Sequence, residues 1–217
     1  KDKVANKVKE AGFKVIFSAP YIARTLLLWV SYFFTLMVVY IMLSWLPSLF
    51  MELGFSRQQG SMAQVFFMIG AFFGTVILGI LIDRWNKVLV IGMMYLGILA
   101  GLLCLNAATT LTTIYMAAAL TGTFTIGGQG VLYAYGSFVY PAHLRGTGVG
   151  AASAVGRVGA MLGPTVAGMI IASGAGASGV FTAAIPGIVL AAIIMMLLSR
   201  KLEKPQQLNP ANQAVSS

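Results

Sequence analysis

One arginine stands where an unpaired charge is most expensive. Arg157 lies about ten residues, or roughly 15 Å, into the apolar run Thr147–Ser173, the middle of a hydrocarbon layer about 30 Å thick. A guanidinium there costs at least about 2.5–3.5 kcal/mol on insertion scales, so it must face a cavity or a polar partner. Gly150, Ser153, Ala154, Ala160 and Met161 flank it at helical spacing, which leaves a face of mostly small side chains. Its planar fork suits a carboxylate; a structural arginine bonded to carbonyls of neighbouring helices is the other reading. Gln129 sits at similar depth in the preceding run, inside Gly127-Gly128-Gln129-Gly130, with Tyr133 one turn away on the same face. Glycines so clustered weaken a helix and expose backbone, as in a cavity wall or a packed bend. Trp29, Tyr32, Phe33, Leu36 and Tyr40 share one broad helical face, and an aromatic lining beside Arg157 would suit an aromatic carboxylate. Aromatic residues are also common in membrane helices for packing alone.

The elements that must hold these residues are six long apolar stretches. The 217 residues are 59% hydrophobic and 9% charged, whereas soluble domains carry about a quarter charged residues. Thr25–Leu46, Met62–Ile82, Val88–Asn106, Thr112–Tyr140, Thr147–Ser173 and Val180–Ser199 each reach spanning length. Pro47 and Gly54, the segment Asp83-Arg84-Trp85-Asn86-Lys87, Asn106–Thr113, Pro141–Gly146 and Ser173–Gly176 separate them. We therefore expect an all-α, polytopic membrane protein of six spans. Residues 1–24 read as a cytoplasmic linker, 25–199 as the helical bundle and 200–217 as a polar, Pro-containing cytoplasmic tail with the composition of disorder. The chain opens on Lys1 without the pattern of a signal peptide, and its start reads as an internal linker of a longer chain.

Charge fixes the expected direction. Lys1, Lys3, Lys7, Lys9, Lys14 and Arg24, then Arg84 and Lys87, then Arg145, then Arg200, Lys201 and Lys204 fall in alternate connections. The intervening loops hold only Arg57. Basic residues favour the cytoplasmic side, so both termini are expected there. The net charge of +9 is thus topogenic, not the solvated basic face a nucleic-acid binder needs. Cys104 lies within an apolar run and reads as a packing residue, and His143 as a solvated loop residue.

Two spans echo each other. Gly70 and Gly74 in the second, and Gly146 and Gly150 with Gly159 and Gly163 in the fifth, are spaced four apart. Small residues at this interval let helix backbones approach closely in lipid, and Gly97 with Gly101 does the same in the third span. Equivalent positions in two groups of three helices are also what inverted three-helix repeats would give.

Chemistry of other kinds finds few residues. An intramembrane serine protease needs a general base beside its nucleophile; Ser137 follows Gly136, but no span holds a histidine. No His-Glu-x-x-His set occurs. We expect no enzyme activity, cofactor or metal site. No carboxylate lies deep in any span, so a proton-binding group would have to come from elsewhere.

Gly79-Ile80-Leu81-Ile82-Asp83-Arg84-Trp85-Asn86-Lys87 resembles the cytoplasmic loop motif of the major facilitator superfamily, with Asn86 in place of its second glycine. Tyr140-Pro141-Ala142-His143-Leu144-Arg145-Gly146-Thr147-Gly148-Val149-Gly150, with Gly156-Arg157 and Gly163-Pro164, resembles the aromatic acid:proton symporters of that superfamily. The resemblance covers about residues 20–200 and implies a twelve-helix fold of which this chain supplies helices seven to twelve. It implies transport of a small aromatic acid with protons across the inner membrane, in partnership with an N-terminal six-helix half that carries the membrane carboxylates. Arg157, Gln129, Tyr133, Tyr32, Phe33 and Tyr40 are the candidate substrate contacts. Asp83, Arg84 and Arg145 form a candidate cytoplasmic gate, in which Asp83 docks on the start of the fifth span, where helix dipoles favour a carboxylate. A carrier of another organic anion and a non-transporting membrane scaffold are the alternatives.

Overall fold

The computed structural model describes residues 15–18 and 21–207, with side chains described through residue 200. Its six long helices are α1 (Ile22–Glu52), α2 (Arg57–Arg84), α3 (Lys87–Ala107), α4 (Leu111–Val139), α5 (Ala142–Ala172) and α6 (Gly176–Gln207). Five of them are long and apolar enough to cross a membrane. The exception, α4, has 29 residues, about 43 Å of helix, but is rich in Thr, Gly and Tyr. It packs against α1, α2, α3 and α5, so its polar groups meet protein. Thr121 and Thr125 are fully buried and return their hydroxyls to the carbonyls of Ala117 and Thr121. Thr123 bonds the Gly70 carbonyl of α2 at 3.1 Å.

The ends of the helices follow local chemistry. Ser56 and Gln59 form a reciprocal capping box at α2, Thr110 and Thr113 form another at α4, and Asn86 accepts from Val88 and Leu89 at α3. Gly54 and Gly174 take left-handed backbone after α1 and α5, with φ of +90° and +85°. Gly has no Cβ to oppose that conformation. The expected boundaries shift at three places. α1 continues through Pro47 to Glu52, because a proline removes one hydrogen bond without ending a membrane helix whose neighbours support it. The Gly127–Gly130 stretch stays within one continuous helix. α6 runs on to Gln207, so the first residues of the expected tail are helical. At the other end, Ile16 of the expected linker is fully buried and its carbonyl accepts from Thr25 Oγ1 at 3.0 Å. Residues 1–14 and 19–20 of the linker and 208–217 of the tail lie outside the described residues.

The two broadest contacts are α1 along α5 and α2 along α4. Both are glycine seams. A Cβ at Gly159 or Gly163 would collide with the backbone of Phe33 or Met37, and one at Gly70 or Gly74 with Ala119 or Thr123. Exchange α1–α3 for α4–α6 and every substantial contact maps onto another: α1·α5 onto α4·α2, α1·α6 onto α4·α3, and α3·α6 onto itself. The glycine echo between the second and fifth spans therefore has a geometric cause, since each packs on the first helix of the opposite triplet. Without a hydrophobic drive between helices in lipid, such close approach lets dispersion and interhelical hydrogen bonds hold the bundle.

Candidate functional site

Polar side chains collect where α4 meets α5. Tyr133 and Ser153 face each other across that contact, with their hydroxyl oxygens 3.3 Å apart. The Tyr133 ring is held edge-on by Tyr32, at 5.4 Å between centroids and 79° between planes. Tyr32 is fixed in turn, because it is fully buried and its hydroxyl donates to the Leu132 carbonyl at 2.9 Å. Gly136 makes room for that phenol; a Cβ there would sit 2.8 Å from the Tyr32 hydroxyl oxygen.

Arg157 follows Ser153 by one turn and is exposed, with no hydrogen bond or ion pair to any described residue. Gln129 precedes Tyr133 by one turn and is half-buried. The two helices run in opposite directions, so this spacing places Gln129 and Arg157 at one level and Tyr133 and Ser153 at the next. The levels lie about 6 Å apart along the helices. Ala154, Val158 and Met161 extend the open face of α5 around the arginine.

The expected residues thus fall into groups. Gln129 and Tyr133 on α4, and Arg157 on α5, lie within one turn of the Tyr133–Ser153 contact along their helices. Tyr32 lies behind them, a buried prop for Tyr133 rather than part of the open face. Phe33 is half-buried, with its backbone on Gly159 and its ring edge-on to Phe34 at 5.2 Å. Tyr40 is 40% exposed elsewhere on α1, on the same stripe as the exposed Ser44 and Ser48. No hydrogen bond or ring contact among the described residues joins Phe33 or Tyr40 to the Tyr133–Ser153 pair. The clustered glycines do not break α4; Gly127 packs on the Gly74 backbone and Gly128 on Met94. Ser153 and the Tyr32–Leu132 bond join residues of separate helices, so no spacing within one helix could signal them.

Asp83, Arg84 and Arg145 are all exposed near one end of the bundle. No ion pair joins them among the described residues, because α2 and α5 share no extended interface. The contact made at that end is different. Lys87 Nζ lies 3.7 Å from the centre of the Phe138 ring, tying the start of α3 to the last turn of α4. Exposed cation–π pairs contribute about 0.5–1 kcal/mol. Elsewhere on α2, Gln64 Oε1 is buried without a hydrogen-bond partner among the described residues. No cluster of three or more His, Cys, Asp or Glu side chains that could hold a metal occurs among the described residues.

Large apolar side chains are exposed on α3 and α6. Leu96 and Leu103 on α3, and Ile193 and Leu197 on α6, are each more than half exposed. A six-helix bundle with large apolar side chains exposed on α2, α3 and α6, and a hydroxyl pair where α4 meets α5, agrees with what residues 5–216 match: the Major Facilitator Superfamily. The chain belongs to that superfamily. Its six helices in two exchangeable triplets correspond to half of a Major Facilitator Superfamily fold, and it is a multi-pass membrane protein of a transporter family, not an enzyme family. It is 42% identical over 189 residues to the 3-(3-hydroxy-phenyl)propionate transporter of Escherichia coli, an alignment covering 87% of this chain and 47% of that protein. It is 35% identical to the 4-hydroxybenzoate transporter PcaK of Pseudomonas aeruginosa, over 85% of this chain and 42% of the relative. The benzoate transport protein of Acinetobacter baylyi is 31% identical, over 94% of this chain and 44% of the relative. The chain spans about half the length of the curated relatives it matches.

Proposed function

We propose that this chain forms helices seven to twelve of a secondary carrier that moves a small aromatic carboxylate across the inner membrane. The observation that carries this reading is Arg157: an exposed guanidinium without an anionic partner among the described residues, beside Gln129, Tyr133 and Ser153. An anion entering from a central vestibule is the partner such a group lacks, and a carboxylate can accept both arms of the fork. The names of the relatives, which include 3-(3-hydroxy-phenyl)propionate, 4-hydroxybenzoate and benzoate, support an aromatic carboxylate as that anion.

Transport then proceeds by alternating access, with this half rocking against an N-terminal six-helix half around a midplane site. Protons are co-substrate and bind carboxylates of that other half, since the spans here contain none at depth. Both termini lie in the cytoplasm by the placement of lysine and arginine. Phe33 and Tyr40 contact substrate when the halves close on it. Asp83, with Arg84, closes the cytoplasmic side by docking at the start of α5 and on Arg145. That helix begins at Pro141 with no side-chain cap and no acidic residue in its first turn, so its amide dipoles favour an incoming carboxylate.

The test is uptake of labelled 3-(3-hydroxyphenyl)propionate into vesicles by the full-length carrier, with and without a proton gradient. Gradient-driven uptake is expected, with a raised KM in Arg157→Ala at equal membrane level. Parental uptake by that variant would remove the anchor from the mechanism. Competition by non-aromatic acids as strong as by aromatic ones would change the substrate to another organic anion. No uptake of any acid would favour a scaffold.

A further inference from the structure

We infer that the Tyr133–Ser153 pair is the determinant that reads a hydroxyl substituent on the ring of the transported acid, one helical level below the carboxylate held by Arg157. The inference rests on the carboxylate reading above and goes beyond it, because it assigns Ser153 a role and predicts which aromatic acids are preferred.

The geometry supplies the reasons. Tyr133 and Ser153 come from different helices and meet at 3.3 Å, both half-buried at the edge of the open face. Each hydroxyl has one donor and two acceptor positions. Their mutual bond uses one donor and one acceptor, which leaves a donor and three acceptors unspent. The pair can therefore both give a hydrogen bond to a phenol and take one from it, which a lone carbonyl or amide hydrogen cannot do. Tyr133 is also preorganised. The Tyr32 ring stands edge-on to it, and Tyr32 is anchored to the Leu132 carbonyl, so little rotamer freedom remains to be lost on binding. Ser153 precedes Arg157 by four residues, about 6 Å along the helix, so one ligand with a carboxylate at one end and a ring hydroxyl at the other can reach both. An unsubstituted ring leaves the pair's mutual bond intact and its spare donor to water at the open edge of the site. Hydroxylated acids are thus favoured without unsubstituted ones being rejected.

The experiment measures uptake of labelled 3-phenylpropionate and labelled 3-(3-hydroxyphenyl)propionate by the full-length carrier, as KM and maximal rate for each. The parent should show the lower KM for the hydroxylated acid. Ser153→Ala and Tyr133→Phe should each reduce the ratio of the two KM values by about 2–10-fold, the equivalent of one net hydrogen bond. That loss should come from a higher KM for the hydroxylated acid, and Ser153→Thr, which keeps a hydroxyl, should restore the ratio. An unchanged ratio in both variants would overturn the inference. So would equal rises in KM for both acids, the signature of a merely structural pair, or a parent that does not discriminate. Arg157→Ala separates the two ideas. It should raise KM for both acids in parallel, and a normal KM for both would sink the anchor while the Ser153 ratio still decides the hydroxyl reader.

Discussion

Arg157 carries a permanent charge, and the chemistry that satisfies it sets the sharpest expectation for any single residue. Charge-assisted hydrogen bonds contribute about 1.5–3 kcal/mol, or roughly 10- to 150-fold in binding. Arg157→Lys keeps the charge but loses the planar fork, so KM for an aromatic acid should rise by about tenfold or more in uptake assays, with normal insertion into the membrane. A lysine variant that transports like the parent would mean that charge alone suffices. Tyr32 offers a second case. Its hydroxyl is bonded to the Leu132 carbonyl and crowds Gly136. Gly136→Ala should lower the melting temperature of the detergent-purified carrier, and Tyr32→Phe should relieve part of that loss because the colliding oxygen is gone. Equal losses in both backgrounds would place the strain elsewhere. At this scale the sequence exposed Arg157, Gln129 and Tyr133, since charge, depth and helical spacing belong to single helices. It could not separate the buried face of Tyr32 from an open one, because that depends on where α4 and α5 lie against α1.

Helix seams are the next level, and glycine decides them. A Cβ at Gly74 would strike the Thr123 carbonyl and one at Gly159 the Phe33 carbonyl, both backbone atoms that cannot swing aside. Gly79 also lies inside α2, but nothing stands within 4 Å of where its Cβ would be. Gly74→Ala and Gly159→Ala should therefore loosen α2·α4 and α1·α5 and lower thermal stability in detergent. Gly79→Ala should be neutral or stabilising, by up to about 1 kcal/mol of helix propensity. A uniform response of all three would show that glycine acts here through propensity and not through contact. The number of helices and their turns could be read from apolar runs bounded by Asp83–Lys87, Asn106–Thr113 and Pro141–Gly146. Their extents could not. Pro47 and the Gly127–Gly130 stretch are breakers by local propensity, yet packing against α2 and α3 keeps both within helices.

For the molecule as a whole, the question is which exposed faces meet water. In the two exchangeable triplets α3 packs on α6, and among the described residues the charge exposed in mid-span is Arg157 on α5. The sequence carried the glycine half of this symmetry, while the pairing of α1 with α5 and α2 with α4 required the three-dimensional contacts. A hydrated vestibule can be told from a lipid face by thiol chemistry, because the reactive thiolate forms only where water reaches the sulfur. With exposed Cys104 replaced by serine, Ala154→Cys sits three residues before Arg157 on the open face of α5. Leu197→Cys sits on α6 at a position 53% exposed in the isolated bundle. A membrane-impermeant maleimide should label the first and not the second, and an aromatic acid should slow the labelling. Both positions are exposed in the isolated bundle, so burial within the chain does not account for a difference. Silence at both sites would put Arg157 against lipid, where a guanidinium has no partner to find. Labelling at both would mean that the apolar side of α6 is open to water, and the division into greasy and polar faces would fail.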